Sequence, residues 1–173
     1  LEAGSYATSY IPTYGSSVSR VAETCVGAGD SSTFNDSEGV LYVELKTDWE
    51  DIGGVKAIST QANINNYIAL YFRDNNFMSA RVNGGGSITQ LDFNYTTNTY
   101  YKAALVYNAT SSKLFVNGVL QDSDTTLTLP TGLNELAFDR GSASQSEMEG
   151  HIKQVLYIPT AITDQEAIDL TTI

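Results

Sequence analysis

Hydrophobic and polar residues alternate along much of the chain with a period of two, which is typical of β-strands whose two sides meet different surroundings. The alternation is clearest in 41–46 (LYVELK), 66–73 (NYIALYFR) and 77–83 (FMSARVN). In each segment one side of the predicted strand is apolar, and the other side carries polar or tyrosine side chains. Shorter runs rich in β-branched, aromatic and leucine residues predict further strands at 55–60, 87–93, 100–107, 113–116, 127–129, 135–138 and 152–158.

Short polar turns separate these runs, which indicates that consecutive strands are antiparallel neighbours. The Asn-Gly pair at 117–118 suits a type I′ turn, because both central residues of that turn need a positive φ. The Asp-Asn-Asn turn at 74–76 predicts a hairpin between 66–73 and 77–83, and three glycines at 84–86 predict the turn that follows. The polar residues 108–112 and the pair at 117–118 therefore connect a meander of antiparallel strands.

One helix is predicted, close to the C-terminal end of the chain. Thr163 precedes Glu166 by three residues, which is the spacing of a capping box, and Ile162 stands where a hydrophobic staple begins. Roughly nine to twelve short strands with one terminal helix predict an antiparallel sandwich. We assign 1–20 to a linker or an edge strand that leads in from an upstream domain, and 21–173 to a single domain.

The charge of the chain restricts its partners. A net charge of −11 and a pI near 4.2 argue against nucleic acid and disfavour anionic membranes, whereas neutral glycans and divalent cations are compatible with them. No hydrophobic run approaches the length of a membrane span, and the single cysteine, Cys25, cannot form a bridge within the chain. Abundant tyrosine (11) beside one tryptophan predicts a protein of the extracellular space or of a virion surface. Because the first residue is Leu1, we expect a fragment of a longer polypeptide.

Four segments carry a resemblance to known domains. YKAALVYN (101–108) with KLFVNGVL (113–120), FNDSEGVLYVEL (34–45) and GHIKQVLYIPTAITDQEAIDLTT (150–172) resemble strands and the terminal helix of LamG-like, concanavalin A-like jelly rolls. SYATSYIPTYGSSVSRVAE (5–23) resembles a linker of phage tail proteins and related bacterial surface proteins. The resemblance implies an all-β, two-sheet antiparallel jelly-roll sandwich with a short C-terminal helix. This fold hosts lectins, carbohydrate-binding modules, adhesins and glycan-cleaving enzymes.

A sugar-binding face is predicted on the polar side of two strands. Sugar sites combine an aromatic platform with polar side chains that hold the hydroxyl groups. Tyr67, Tyr71 and Arg73 would lie beside Arg81 if the turn at 74–76 forms the predicted hairpin. Trp49, in a predicted loop, is the alternative platform, and ordinary cross-strand packing of the tyrosines remains an open interpretation.

Calcium is the cofactor that the resemblance suggests, as a structural ion held by rim loops. The acidic composition is compatible with such an ion, although no EF-hand spacing occurs in the sequence. Asp30, Asp36 and Asp139 are the predicted ligands; the first two lie in one predicted loop and Asp139 lies in another. Further oxygen-bearing residues of predicted loops are Asn35, Asp122 and Asp124.

Catalysis is not supported by any motif, and no catalytic residue is assigned. The Glu-x-Asp-x-x-Glu strand of jelly-roll glucanases does not occur, and the cluster of Asp48, Glu50 and Asp51 is interpreted as a solvated loop. The 101–108 segment resembles a strand of alginate lyases, but the matching Gln-x-His and arginine-rich strands are missing. The only histidine, His151, is interpreted as a structural or rim residue.

The sequence therefore predicts a non-catalytic module that binds a polysaccharide or a cell-surface glycan. We expect it to belong to a larger phage tail or secreted bacterial protein, with oligomers formed through that parent. Two alternatives stay open: a polysaccharide-cleaving enzyme of jelly-roll fold, either a lyase or a glycoside hydrolase, and a structural or oligomerising tail domain.

Overall fold

The computed structural model describes Gly15, 28–48, 55–140, 147–148 and 150–173. These residues form ten strands and one helix. In chain order the elements are β1 (Gly39–Lys46), β2 (Val55–Asn63), β3 (Asn66–Arg73), β4 (Phe77–Gly84), β5 (Ser87–Asn94), β6 (Tyr101–Tyr107), β7 (Ser112–Val116), β8 (Val119–Asp124), β9 (Glu135–Ala137), β10 (His151–Ile158) and α1 (Asp164–Thr171).

The strands form two five-stranded antiparallel sheets. The first sheet has the order β10-β1-β6-β7-β8, and the second sheet has the order β5-β4-β3-β2-β9. The predicted two-sheet sandwich of all-β class, with one short C-terminal helix, is confirmed. Because β10 and β9 complete the two sheets from the far end of the chain, the sandwich depends on contacts between distant parts of the sequence.

The hydrophobic core lies between the two sheets. Alternate side chains of β1, β3, β4 and β6 point into it, as the period-two pattern predicts. The largest side chains that are fully buried include Ile58, Ile68, Leu70, Phe72, Met78, Leu105 and Leu114.

The outer face of the first sheet is also buried, which the alternation in β1 does not predict. Val40 and Tyr42 point away from the main core, but they pack with Ala104, Phe115 and Ala167 in a second apolar cluster. Ala167 belongs to α1, so this helix covers the face that a half-buried strand would leave open to water.

The predicted turns are confirmed by the backbone. Asn75 and Asn76 have φ values of 61° and 57°, and Arg73 pairs with Phe77 across the turn. The pair at 117–118 has φ values of 49° and 77°, and it joins β7 to β8 as a two-residue hairpin. Gly85 and Gly86 also have positive φ and join β4 to β5.

One predicted strand, 127–129, is wrong. These residues pair with no strand, although Leu127 and Leu129 still pack against the core. Their backbone runs past Gly84 so closely that a Cβ on that glycine would collide with the carbonyl oxygens of Thr128 and Leu129. Pro130 follows immediately and lacks the N–H that a strand would need to continue its ladder.

Some predictions fall outside the described residues. These predictions concern Trp49, Cys25, the domain boundary at residue 20 and, apart from Gly15, the 5–23 segment. Within the described residues, no helix has the length and apolar character needed to cross a membrane.

Candidate functional site

The outer face of the second sheet is the side that points away from the sandwich core. The register places Tyr71, Ser79 and Asp92 in one row across β3, β4 and β5. Ala69, Arg81 and Gln90 form the next row along the same three strands. The structure therefore brings the predicted residues Tyr67, Tyr71, Arg73 and Arg81 together on one face, as the hairpin prediction requires.

Arg73 is paired with an acidic residue on this face. Its Nη2 atom lies 2.9 Å from Oδ2 of Asp92, and its Nε atom donates to Oγ of Ser79 at 3.0 Å. Ser79 in turn donates to Asp92. The guanidinium also lies over the half-buried ring of Phe77, with 4.4 Å between Cζ and the ring centroid. Arg73 is therefore fixed in orientation, and its charge is balanced locally.

Arg81 is held by neutral groups. Its Nη1 atom donates to the hydroxyl of Tyr67 at 3.2 Å, and its Nη2 atom donates to Oε1 of Gln90. Its Cζ atom lies 5.0 Å from the ring centroid of Tyr71. Its Nε atom is buried and has no hydrogen-bond partner in the described part of the chain. The side chain as a whole is only partly buried, so the guanidinium is preorganised and still borders solvent.

The two tyrosines of the predicted site are more buried than an open sheet face implies. Tyr67 and Tyr71 are each 2% exposed and form an apolar cluster with Ala57 and Ala69. The hydroxyl of Tyr71 donates to Oε1 of Gln90 at 2.6 Å, and burial raises the pKa of this tyrosine. In this structure Tyr71 therefore supports Arg81 and Gln90, and its ring offers no open face for a sugar to stack on.

A third arginine approaches the same ring. Arg140 follows β9, and its Cζ atom lies 5.7 Å from the ring centroid of Tyr71. Three of the four arginines in the sequence, Arg73, Arg81 and Arg140, thus lie around one part of the outer face. On a chain of net charge −11 this is a local concentration of positive charge.

Sequence reasoning missed three members of this network: Ser79, Gln90 and Asp92. Ser79 precedes Arg81 by two residues and therefore shares its side of β4. The signal that points to Gln90 and Asp92 is the glycine turn at 84–86. If that turn pairs Gly84 with Ser87, the antiparallel register follows and places Gln90 opposite Arg81. Asp92 then lies opposite Ser79, two residues further along the same face.

Two of the predicted calcium ligands, Asp36 and Asp30, accept hydrogen bonds from within the chain. Among the described residues, no group of three or more His, Cys, Asp or Glu side chains could hold a metal ion. Asp36 accepts backbone N–H groups of Gly132 at 2.7 Å and Leu133 at 3.0 Å through its two carboxylate oxygens, so it ties two loops together. Asp30 accepts from Ser32 and Thr33 within its own turn. These arrangements fit structural turns better than the six to eight oxygen ligands of a calcium site.

A shallow polar cleft at one end of the sandwich is a second candidate surface. Its volume is about 380 Å³, which is within the range of small-molecule sites. Its wall is formed by Ser31, Ser32, Phe34, Asn35, Asp36, Gly132, Leu133 and Pro159. The side chains of Asn35 and Asp36 already make hydrogen bonds that hold the loops. The Asn35 amide donates to the carbonyl of Pro159, and the Asp36 carboxylate accepts from the backbone N–H groups of residues 132–133. His151, which the sequence indicates as a structural or rim residue, begins β10 of the first sheet and is exposed.

The family of the chain follows from residues 41–167, which match the model described as the concanavalin A-like lectin/glucanases superfamily. The match covers more than half of the chain, and the chain therefore belongs to this superfamily. The same model confirms the LamG-like resemblance of the strand segments. A search of the curated protein sequences finds no match.

Several solved structures share the fold. The CBM40 domain of the Ruminococcus gnavus IT-sialidase, bound to α2,3-sialyllactose, is 19% identical with a TM-score of 0.64, over 86% of this chain and 85% of that one. Domain 4 of AbnA, a GH43 extracellular arabinanase from Geobacillus stearothermophilus in complex with arabinotriose, is 14% identical with a TM-score of 0.64, over 83% and 70%. The leech intramolecular trans-sialidase is 18% identical with a TM-score of 0.63, over 80% of this chain and 24% of that one. At these identities the likeness shows the fold.

Proposed function

We propose that this domain is a non-catalytic carbohydrate-binding module and that it binds glycans on the outer face of the second sheet. The observation that carries the proposal is the hydrogen-bonded set formed by Arg73, Arg81, Gln90 and Asp92 on that face. These long polar side chains are partly exposed and lie outside the core, so packing of the sandwich does not require them.

The chemistry of the set suits sugar hydroxyl groups. Arginine and the amide of Gln90 supply fixed donors, and Asp92 supplies an acceptor, so a vicinal pair of hydroxyls can be held from both sides. Phe77 is half-buried next to Arg73 and offers an apolar ring edge for the C–H face of a sugar. Because the side chains are already held by one another, binding orders few of them and costs little conformational entropy.

The relatives support the same class of ligand. Two of the structures that share the fold were solved with sialyllactose and arabinotriose bound, and both ligands are oligosaccharides. The superfamily itself is named after lectins and glucanases. We carry over only the class of ligand, since identities below 20% do not align individual site residues.

A glycan array that covers neutral, uronic and sulfated polysaccharides tests the proposal. We expect at least one ligand, and we expect Arg73→Gln and Arg81→Gln each to weaken its binding by at least about tenfold. Lys113→Gln is the matched control, because it removes one positive charge beside α1 on the other sheet, where Lys113 pairs with Asp164. Absence of any ligand, or binding that is indifferent to both arginine variants, would contradict the proposal.

Calcium dependence is a separate proposal that the same array tests. Repeating the array with calcium and then with EDTA separates glycan binding that needs calcium from glycan binding that does not. Binding lost in EDTA and restored by calcium would support a bound calcium ion. Unchanged binding would agree with the engagement of Asp36 by backbone N–H groups and would end the calcium proposal.

We further propose that the module works on the outside of a larger phage tail or secreted bacterial protein. Single sugar contacts are weak, and a micromolar to millimolar Kd is expected for one module. Linking several copies raises the apparent affinity by roughly 10² to 10⁴ without any new contact. A fused trimer of the domain should therefore bind a polysaccharide surface far more tightly than the monomer, and equal binding would argue against this setting.

A further inference from the structure

We propose that Arg81 makes the site selective for sugars that carry a carboxylate, an inference that rests on the proposed function and names its ligand class. The preferred ligand is a saccharide with an anionic carboxyl group, either a uronic acid or a sialic acid. Its carboxylate would meet the Arg81 guanidinium, while the neighbouring polar groups hold hydroxyls.

The two arginines of the face differ in how their charges are balanced. Arg73 has Asp92 at 2.9 Å as an ion-pair partner. Among the described residues, no carboxylate forms an ion pair or a hydrogen bond with Arg81, whose partners are Tyr67, Gln90 and the ring of Tyr71. A partly buried cation that is surrounded by neutral groups favours an anion that supplies the missing negative charge.

The hydrogen-bonding capacity of Arg81 is also incompletely used. A guanidinium carries five N–H donors. In the described structure Nη1 and Nη2 each make one hydrogen bond, and Nε makes none. A carboxylate accepts two parallel N–H donors from a guanidinium, whereas a sugar hydroxyl accepts them one at a time. Because Nε is buried, the donors that remain for a ligand are one N–H on each of Nη1 and Nη2, and this pair matches a carboxylate better than a neutral sugar.

The other acidic groups near this face do not neutralise Arg81. Asp92 is engaged by Arg73, Ser79 and Gln90. Glu135 lies on β9, three strands away from β4, which is about 14 Å at the usual strand spacing, and its Oε1 atom accepts from Gln61. Asp122 on β8 accepts the backbone N–H of Asp92. At physiological salt charges are screened over about 8 Å, so the acidity of the whole chain is weakly felt at the Arg81 contact.

Matched ligands that differ only in the carboxylate provide the test. We would measure binding of trigalacturonate against its methyl ester, and of sialyllactose against lactose, by titration calorimetry. The expected result is that the acidic member of one pair binds at least about tenfold more tightly than its neutral partner. The pair that shows this preference tells whether the ligand is a uronic acid or a sialic acid. In Arg81→Gln this preference should disappear, and in the control Lys113→Gln it should persist.

A second variant covers the case in which Arg81→Gln does not fold. Gln90→Glu leaves the guanidinium in place and puts a carboxylate where Gln90 now accepts from Arg81, so it should also remove the preference for acidic sugars. Equal binding of acid and neutral members by the unmodified chain, or a preference that survives both variants, would overturn the inference. Neutral glycans that depend on Arg73 and Arg81 would leave the proposed function standing, whereas no glycan binding at all would overturn both.

Discussion

Asp92 joins the two halves of the polar network on the outer face. Its carboxylate accepts from Arg73, Ser79 and Gln90, and its backbone N–H donates to Asp122. Partial burial acts to raise the pKa of Asp92, but the hydrogen bonds from Ser79 and Arg73 outweigh it and hold the pKa below the ordinary value of 3.8. The ionised form is therefore the form that the folded protein stabilises.

The contribution of Asp92 to stability should depend on pH in the acidic range only. Because the pKa is lower in the folded state, the stabilisation is present above about pH 4 and is lost as the pH falls through the folded-state pKa. Asp92→Asn should lower the free energy of unfolding at pH 7 by less than about 1 kcal/mol, since the pair is partly exposed to solvent. Urea unfolding at pH 7 and pH 2.5 measures the difference, which should shrink at the lower pH.

A charge-matched control separates this contact from general charge effects. Asp169→Asn removes one negative charge from an exposed position of α1, where Gln165 can still donate to the new side chain. We expect little change in stability at either pH. If Asp169→Asn matched Asp92→Asn at both pH values, the network around Asp92 would have no specific role in stability.

The stability of helix α1 depends on the capping box at its N-terminal end. The Thr163 side chain accepts from the backbone N–H of Glu166, and the Glu166 carboxylate accepts from the Thr163 backbone N–H at 2.8 Å, so the predicted capping box is confirmed. The helix is only eight residues long and covers the outer face of the first sheet. Such a short helix is marginal without its cap and its packing.

Removal of the cap should therefore destabilise the domain. We expect Thr163→Ala to lower the free energy of unfolding by about 1 kcal/mol, because the backbone N–H of Glu166 loses its acceptor. Thr163→Ser keeps a hydroxyl at the cap and should lose much less. Chemical unfolding followed by circular dichroism measures both variants, and equal losses in the two would show that the hydroxyl cap does not matter.

A pair of tyrosines, the buried Tyr107 and the half-buried Tyr157, joins strands β6 and β10 to the loop before β1. The hydroxyl of Tyr107 donates to the carbonyl of Asn35 at 2.6 Å and lies 2.8 Å from the hydroxyl of Tyr157. Tyr107→Phe should cost about 1–2 kcal/mol of unfolding free energy, because the carbonyl of the half-buried Asn35 loses the closer of its two hydroxyl donors. Tyr100→Phe, at an exposed ring, is the control and should change the urea midpoint little.

The local sequence pattern predicts most strands and their turns. Alternation identifies which side of β3 and β4 faces the core, and residues that favour positive φ mark their turns. It does not predict what covers the outer side of a strand. Tyr42 and Tyr71 are both predicted to face outward, but Tyr42 is buried in the cluster that includes Ala167 of α1, and Tyr71 is buried in a cluster on the second sheet. Both outcomes depend on packing between distant segments, which period-two patterns do not contain.

The candidate site was also predicted only in part: the sequence places two arginines on one face, but it does not identify all of their partners. The hairpin at 74–76 was sufficient to place Arg73 and Arg81 on one face. Two further partners of these arginines, Gln90 and Asp92, come from β5, and they follow only when the register of a second hairpin is added. The role of Tyr71 changes with its burial, from a stacking platform to a support for Arg81.

The stability of the whole sandwich should rest on the core between the sheets. Leu105, in β6 at the centre of the first sheet, is fully buried in this core. Leu105→Ala should lower the free energy of unfolding by about 2–5 kcal/mol through lost apolar burial and a residual cavity. Leu120→Ala makes the same change on the exposed strand β8 and should cost less than about 0.5 kcal/mol. Similar losses for both variants in urea unfolding would contradict the assigned core.

The central claim is that the outer face of the second sheet binds a glycan. Its most direct test is a map of backbone amide shifts while a ligand from the glycan array is titrated into the labelled domain. We expect shifts confined to β3, β4 and β5, with the largest at Arg81, Gln90 and Asp92. Shifts centred on Asn35 and Gly132 would move the site to the cleft at the end of the sandwich and contradict the claim.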